Sequence, residues 1–222
     1  ADDLAKLVDI KGITLVEPDA LVYASEEVMS SNGADLDQMD TVSPFMSTSN
    51  SFLGIEKLWN EGIEGQGIKV AVLDTGIDAD HPEFEGVYKG GKNFIPHTGS
   101  DYARPRADDD ASETSPLDRP ANRAEFNANG SAFYTSHGTH VAGTIAAIGA
   151  NQFGIKGIAP KVDLYMYRVL GAYGSGSTSG IIKAIETAVI EKMNENEILR
   201  EYLKSGLKSR WPIGISKNML ER

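Results

Sequence analysis

Two clusters in this chain have the residue types and spacing for hydrolytic chemistry. The first is Asp74-Thr75-Gly76, directly after the apolar run Ile68-Lys69-Val70-Ala71-Val72-Leu73. Such a β-branched run reads as a strand buried on both faces of a parallel sheet, which puts Asp74 at the carboxyl end, where α/β proteins hold their ligands. The second is His137-Gly138-Thr139-His140-Val141-Ala142-Gly143-Thr144, a histidine opening a helix whose glycines and alanines permit close approach to neighbouring backbone. Taken alone, Asp74 is equally well read as the cap of the following turn. A histidine opening a helix that can approach this closely shifts that balance, since His137 and Asp74 could then meet over the sheet. His137 and His140 also share a helix face, which leaves a metal site as an alternative, although no Glu follows the first histidine and the chain has no cysteine. His140 is more simply a packed or hydrogen-bonded helix residue, and His81 and His97 suit turns.

These residues need elements to position them. The spacing predicts a helix from Gly54 to Gly62, the strand to Leu73, a helix from Gly138 to Ile148, a second strand from Val162 to Leu170, and a helix from Ile181 to Met193. Alternating strand and helix implies an α/β domain with a mainly parallel sheet and helices on both faces. Residues 1–24 read as a helix end followed by a strand at Ile13–Val16, a small α+β element. Residues 25–50, rich in Ser, Asn, Asp and Met, have linker composition, and residues 96–132, with Asp108-Asp109-Asp110, read as a polar surface loop or flap.

Composition narrows the function classes. With 32 acidic and 21 basic residues the net charge is −11, which argues against nucleic acid and anionic lipid as partners. The charge is uneven: residues 194–222 hold six basic and four acidic residues and stand at +2, leaving −13 for residues 1–193. Absence of cysteine excludes disulfides, thiol nucleophiles and thiolate metal sites. No apolar run is long enough for a membrane span, and the chain opens Ala1-Asp2-Asp3, so any targeting signal is expected to lie upstream or to have been removed.

Asp74-Thr75-Gly76-Ile77-Asp78 with His81-Pro82-Glu83-Phe84, and then His137 to Thr144, resemble the Asp and His motifs of the subtilisin-like serine proteases, the subtilases. Gly157-Ile158-Ala159-Pro160, Arg168-Val169-Leu170-Gly171 and Gly174-Ser175-Gly176-Ser177 continue the likeness, which covers roughly residues 7–193. The resemblance implies a subtilisin-like α/β fold, incomplete here, and peptide-bond hydrolysis, with Asp74 orienting His137 and His137 as general base. Gly12-Ile13 to Val16-Glu17-Pro18-Asp19 looks like the tail of an inhibitory propeptide. The implied organisation is a propeptide end at 1–24, a processing linker at 25–50, the first half of a peptidase domain at 51–193 and an unrelated basic tail at 194–222.

The family's Gly-Thr-Ser-Met nucleophile motif, its Ser-Leu-Gly strand and its oxyanion asparagine do not occur in the 222 residues, and Ser216 lacks the second glycine of a nucleophile elbow. The chain as written is therefore expected to be an inactive, truncated part of a secreted zymogen, with polypeptides and its own propeptide as partners. The resemblance also implies structural calcium at Glu83 together with Ile148, Asn151, Phe153 and Ile155; calcium takes six to eight oxygens, many from backbone carbonyls. Asn129-Gly130-Ser131 fits a glycosylation acceptor. The rival expectation is a non-catalytic module that binds another protein.

Overall fold

Strand β4 (Asp163–Arg168) is the centre of a three-stranded parallel sheet, with β2 (Lys69–Asp74) on one side and β3 (Tyr88–Asn93) on the other. The register runs from Lys69↔Asp163 to Asp74↔Arg168, so the carboxyl ends of β2 and β4 finish level. The computed structural model describes residues 16, 18–24, 50–96, 106–149 and 156–195.

Strand pleating sends alternate residues of β4 to opposite faces. Leu164 and Met166 join Val70 and Val72 beneath helix α2 (His137–Ala146), which contributes Val141, Ala142, Ile145 and Ala146. Tyr165 and Tyr167 join Leu73 on the other face beneath helix α3 (Thr178–Glu195), which contributes Ile181, Ala184 and Ala188. Each fully buried Leu or Met side chain contributes about 1.5–3 kcal/mol. The fold is thus α/β with a parallel sheet covered on both faces, as the alternation of elements predicts.

A short antiparallel pair lies outside this sheet. Strand β1 (Leu21–Tyr23) runs against β5 (Ser175–Ser177), with Val22 opposite Gly176, and Ala24 N–H donates to Gly174 O at 2.9 Å. Asp19 secures the far end by accepting from Ser179 N–H and Oγ at 2.9 and 2.6 Å. A short helix, α1 (Ile55–Asn60), precedes the sheet.

Three expectations are corrected. Strand β2 is not buried on both faces: Lys69 and Ala71, which share one face of the pleat, are exposed beside a cleft under α3, and among the described residues β2 pairs with β4 alone. Residues 106–132 are not wholly a surface loop, since Ala111, Thr114 and Arg106 are buried. Val16 is not in a strand; the ordered strand near the amino end is β1, and Ile13 lies outside the described residues.

Candidate active site

Asp74 ends β2, and its backbone carbonyl accepts from Val169 and Leu170 N–H at 2.9 and 3.2 Å, which locks the strand end to the exit of β4. Its side chain is nearly buried and aims across to the first residue of α2. His137 Nδ1 lies 2.8 Å from Asp74 Oδ1 and 3.0 Å from Oδ2. Thr75 N–H also donates to Oδ1, at 2.6 Å. The two residues that the motifs single out, 63 positions apart in sequence, therefore share a hydrogen bond over the carboxyl end of the sheet.

Small residues make that approach possible. A Cβ on Gly138 would collide with the carbonyl oxygen of Gly76, so α2 can sit this close only with hydrogen at that position. Gly76 has φ of 133°, a backbone conformation that suits glycine, and a Cβ there would meet Ser112 and Glu113 backbone at 2.7 Å. Thr75, almost fully buried, accepts from Gly138 N–H through its hydroxyl at 2.9 Å, fixing the first turn of α2 to the strand that carries Asp74.

The described part of the long insertion backs this corner. Ile77 N–H donates to Ala111 O at 3.0 Å, and residue Ile77 bridges Ser112. Arg168, the residue opposite Asp74 in the ladder, is buried and donates to Asn93 Oδ1 and Thr114 Oγ1, each at 2.9 Å. Burial, reinforced by the Arg106 charge, brings its guanidinium down to about 10. Arg106 ties the insertion to itself through Ser112, Glu113 O at 3.0 Å and Asp118 at 3.4 Å. Thr75 and Arg168 lie within motifs that carry the resemblance, but nothing in the sequence marks Glu113 or Thr114 as supports of the site, because their roles arise from pairings between distant segments.

His140 is exposed on α2, not packed, since its position faces away from the sheet. His81 occupies a turn, where Nδ1 accepts from Glu83 N–H at 3.2 Å, and His97 lies outside the described residues. Among the described residues no group of three or more His, Cys, Asp or Glu converges as metal ligands. Glu83 is buried and adjoins Ile148: its Oε2 accepts from Gly149 N–H at 2.6 Å and its backbone carbonyl from Ile148 N–H at 3.1 Å. Its Oε1 is buried with no hydrogen-bond partner among the described residues, an orphaned oxygen that suits a hard cation. Asn151, Phe153 and Ile155 lie outside the described residues.

The chain matches the subtilase family over residues 65–199, more than half its length. It belongs to the subtilase family. It is 38% identical over 189 residues to the minor extracellular protease Vpr of Bacillus subtilis, covering 85% of this chain and 20% of Vpr. It is 39% identical over 137 residues to an intracellular serine protease of Paenibacillus polymyxa, covering 62% of this chain and 33% of that protein. Among solved structures, sphericase aligns with a TM-score of 0.43 at 31% identity, covering 64% of this chain and 39% of that one. The chain thus spans between a fifth and a third of the length of these curated relatives. No helix among the described residues is long and apolar enough to cross a membrane.

Proposed function

We propose that this subtilase chain carries the proton-handling half of a serine endopeptidase that hydrolyses polypeptides through an acyl-enzyme. The observation that carries the reading is the Asp74 carboxylate on His137 Nδ1 at 2.8 Å. Asp74 accepts a hydrogen bond from Nδ1–H, fixes the tautomer whose Nε2 is basic, and stabilises the imidazolium as it forms. Nε2 takes the hydroxyl proton of a serine as that oxygen bonds to the scissile carbonyl carbon, then gives the proton to the departing amine; water repeats the two steps on the acyl ester. The 222 residues hold no serine in the family's Gly-Thr-Ser-Met setting, so nucleophile and oxyanion donors belong to sequence outside them.

Pairing of β1 with β5 supports the reading of residues 1–24 as a propeptide end: an extended segment lies antiparallel on a strand that leaves the sheet beside Asp74, as a peptide would. Residues 51–193 then form the first half of the peptidase domain, and the likeness to extracellular Vpr favours a secreted zymogen. Calcium at Glu83, with Ile148 and residues 151–155, would supply charge to the orphaned Oε1 and brace the loop after α2. A second reading, a binding module, is favoured by the exposed Lys69 and Ala71 on β2.

Proton NMR of the 222-residue chain tests the central claim. A downfield Nδ1–H resonance of His137 is expected, lost in Asp74→Ala; its absence in the unaltered chain sinks the acid–base assignment. Incubated with an unstructured protein, the same chain is expected to release no peptides, and cleavage blocked by phenylmethylsulfonyl fluoride would contradict the missing nucleophile. Calcium at a hundred times its dissociation constant should stabilise the chain by about 2.7 kcal/mol relative to chelator, and an unchanged melting temperature removes calcium from the account.

A further inference from the structure

The first N–H groups of any helix lack partners within it and need an acceptor from elsewhere. In α2 the residue placed to supply one locally, Ser136, makes no side-chain cap bond. Two distant side chains do the work. Thr75 Oγ1 takes Gly138 N–H, and Glu113 Oε1 takes both Thr139 N–H at 2.9 Å and the Thr139 hydroxyl at 3.0 Å. Glu113 Oε2 accepts from the Thr135 hydroxyl at 2.6 Å, so both carboxylate oxygens are committed to the approach and first turn of the helix that begins with His137.

Glu113 is held for this task from behind. Its backbone carbonyl accepts from buried Arg106 at 3.0 Å. Thr114 and Thr135 exchange two further bonds, Thr114 N–H to Thr135 Oγ1 at 2.9 Å and Thr135 N–H to Thr114 O at 3.0 Å. Thr114 is in turn fixed by Arg168, the residue opposite Asp74 in the ladder. The Thr139 hydroxyl that donates to Glu113 also accepts from Asp78 N–H at 2.9 Å, closing a ring from the loop after Asp74 to the helix of His137.

We infer that Glu113 is a positioning residue for His137: a carboxylate from the insertion caps α2 from outside and sets the angle at which the imidazole meets Asp74. A negative group is also the favoured charge at a helix amino end, where the backbone dipoles point their positive ends. The inference rests on the proposed Asp74–His137 pair and adds to it a third residue, an acidic one, that acts through the first turn of the helix.

The test follows the His137 Nδ1–H resonance and amide exchange in the 222-residue chain. In Glu113→Ala, Thr139 N–H exchange is expected to rise about tenfold and the Nδ1–H resonance to broaden or shift, while the Met166 amide in β4 stays protected. Glu113→Gln, which keeps an acceptor for Thr139, is expected to restore the resonance. Thr135→Val, which frees Oε2 and Thr114 N–H but leaves Oε1 on Thr139, gives a smaller change in the same direction and covers the case in which the alanine variant does not fold. A merely structural Glu113 would lower stability but leave the resonance unmoved in protein whose β4 amides remain protected, and that result overturns the inference. Absence of any Asp74-dependent resonance in the unaltered chain defeats instead the pair on which the inference rests.

Discussion

The two faces of the three-stranded sheet are filled in different ways. Beneath α2, Ala142, Ala146, Leu164 and Met166 are all 0% exposed, and glycine at 138 lets helix backbone touch strand-loop backbone. Beneath α3, a cleft of about 660 Å³ remains between helix and sheet, lined by Lys69, Lys89, Lys92, Tyr165 and Tyr167 and closed at one corner by Glu191. Long amphipathic side chains cover this second face with their stems and keep their charges in water. Lys92 pairs with Glu191 at 2.6 Å, and Lys69 stands 5.7 Å over the Tyr165 ring. The lesson is one of tolerance: the face that aims His137 has no slack, whereas the opposite face can absorb change.

Substitutions on the two faces should separate accordingly. The largest effect is expected from Met166→Ala beneath α2, which removes a fully buried side chain and should cost about 2–5 kcal/mol in chemical denaturation. Next comes Gly138→Ala, where the added methyl meets Gly76 backbone; about 1–3 kcal/mol of strain is expected, with loss of the His137–Asp74 proton resonance. Tyr165→Ala on the cleft side should cost only about 1 kcal/mol, since its ring is half-buried and water can fill the space. A cost equal to that of Met166→Ala would erase the distinction between the faces.

The smallest effect concerns Lys92→Met. Burial pulls the Glu191 carboxyl upward, but hydrogen bonds from Lys92 and Tyr167 and the nearby Lys charges outweigh it, so it sits below the ordinary glutamate range. A lowered carboxyl stabilises the fold above its unfolded value, and that contribution is lost as pH falls through the folded one. Both partners are more than a third exposed, so Lys92→Met should cost under about 1 kcal/mol at neutral pH. Denaturation midpoints of the two chains should converge as the solution is acidified below pH about 4.

Two of the three strands of the sheet were legible, because β2 and β4 are apolar runs that end at motif residues; β3, Tyr-Lys-Gly-Gly-Lys-Asn, has no such run and was missed. Asp74 follows such a run, and His137 opens an alanine-rich helix, so both positions and their meeting over the strand ends could be read in advance. The exposure of Lys69 and Ala71 on β2 could not, because apolarity does not say what will cover each face of a strand. Nor could the support from residues 106–135: Arg106, Asp110, Ser112 and Asp118 bury their charges and hydroxyls against one another, and polar composition of that kind looks like solvated loop. Strand β1 is extended because β5 pairs with it, a partner more than 150 residues away that local propensity does not reveal.

The order of the strands has a consequence for synthesis. Among the described residues β2 and β3 bond only to β4, which is the last of the three to be made, about 70 residues after β3 ends. At a translation rate of about 5–20 residues per second, β3 waits roughly 4–14 s and β2 roughly 4–18 s for the partner that joins them. Through that interval the apolar run Val70–Leu73 lacks the ladder it has with β4 in the fold, a stretch of synthesis in which apolar surface of this kind is open to association.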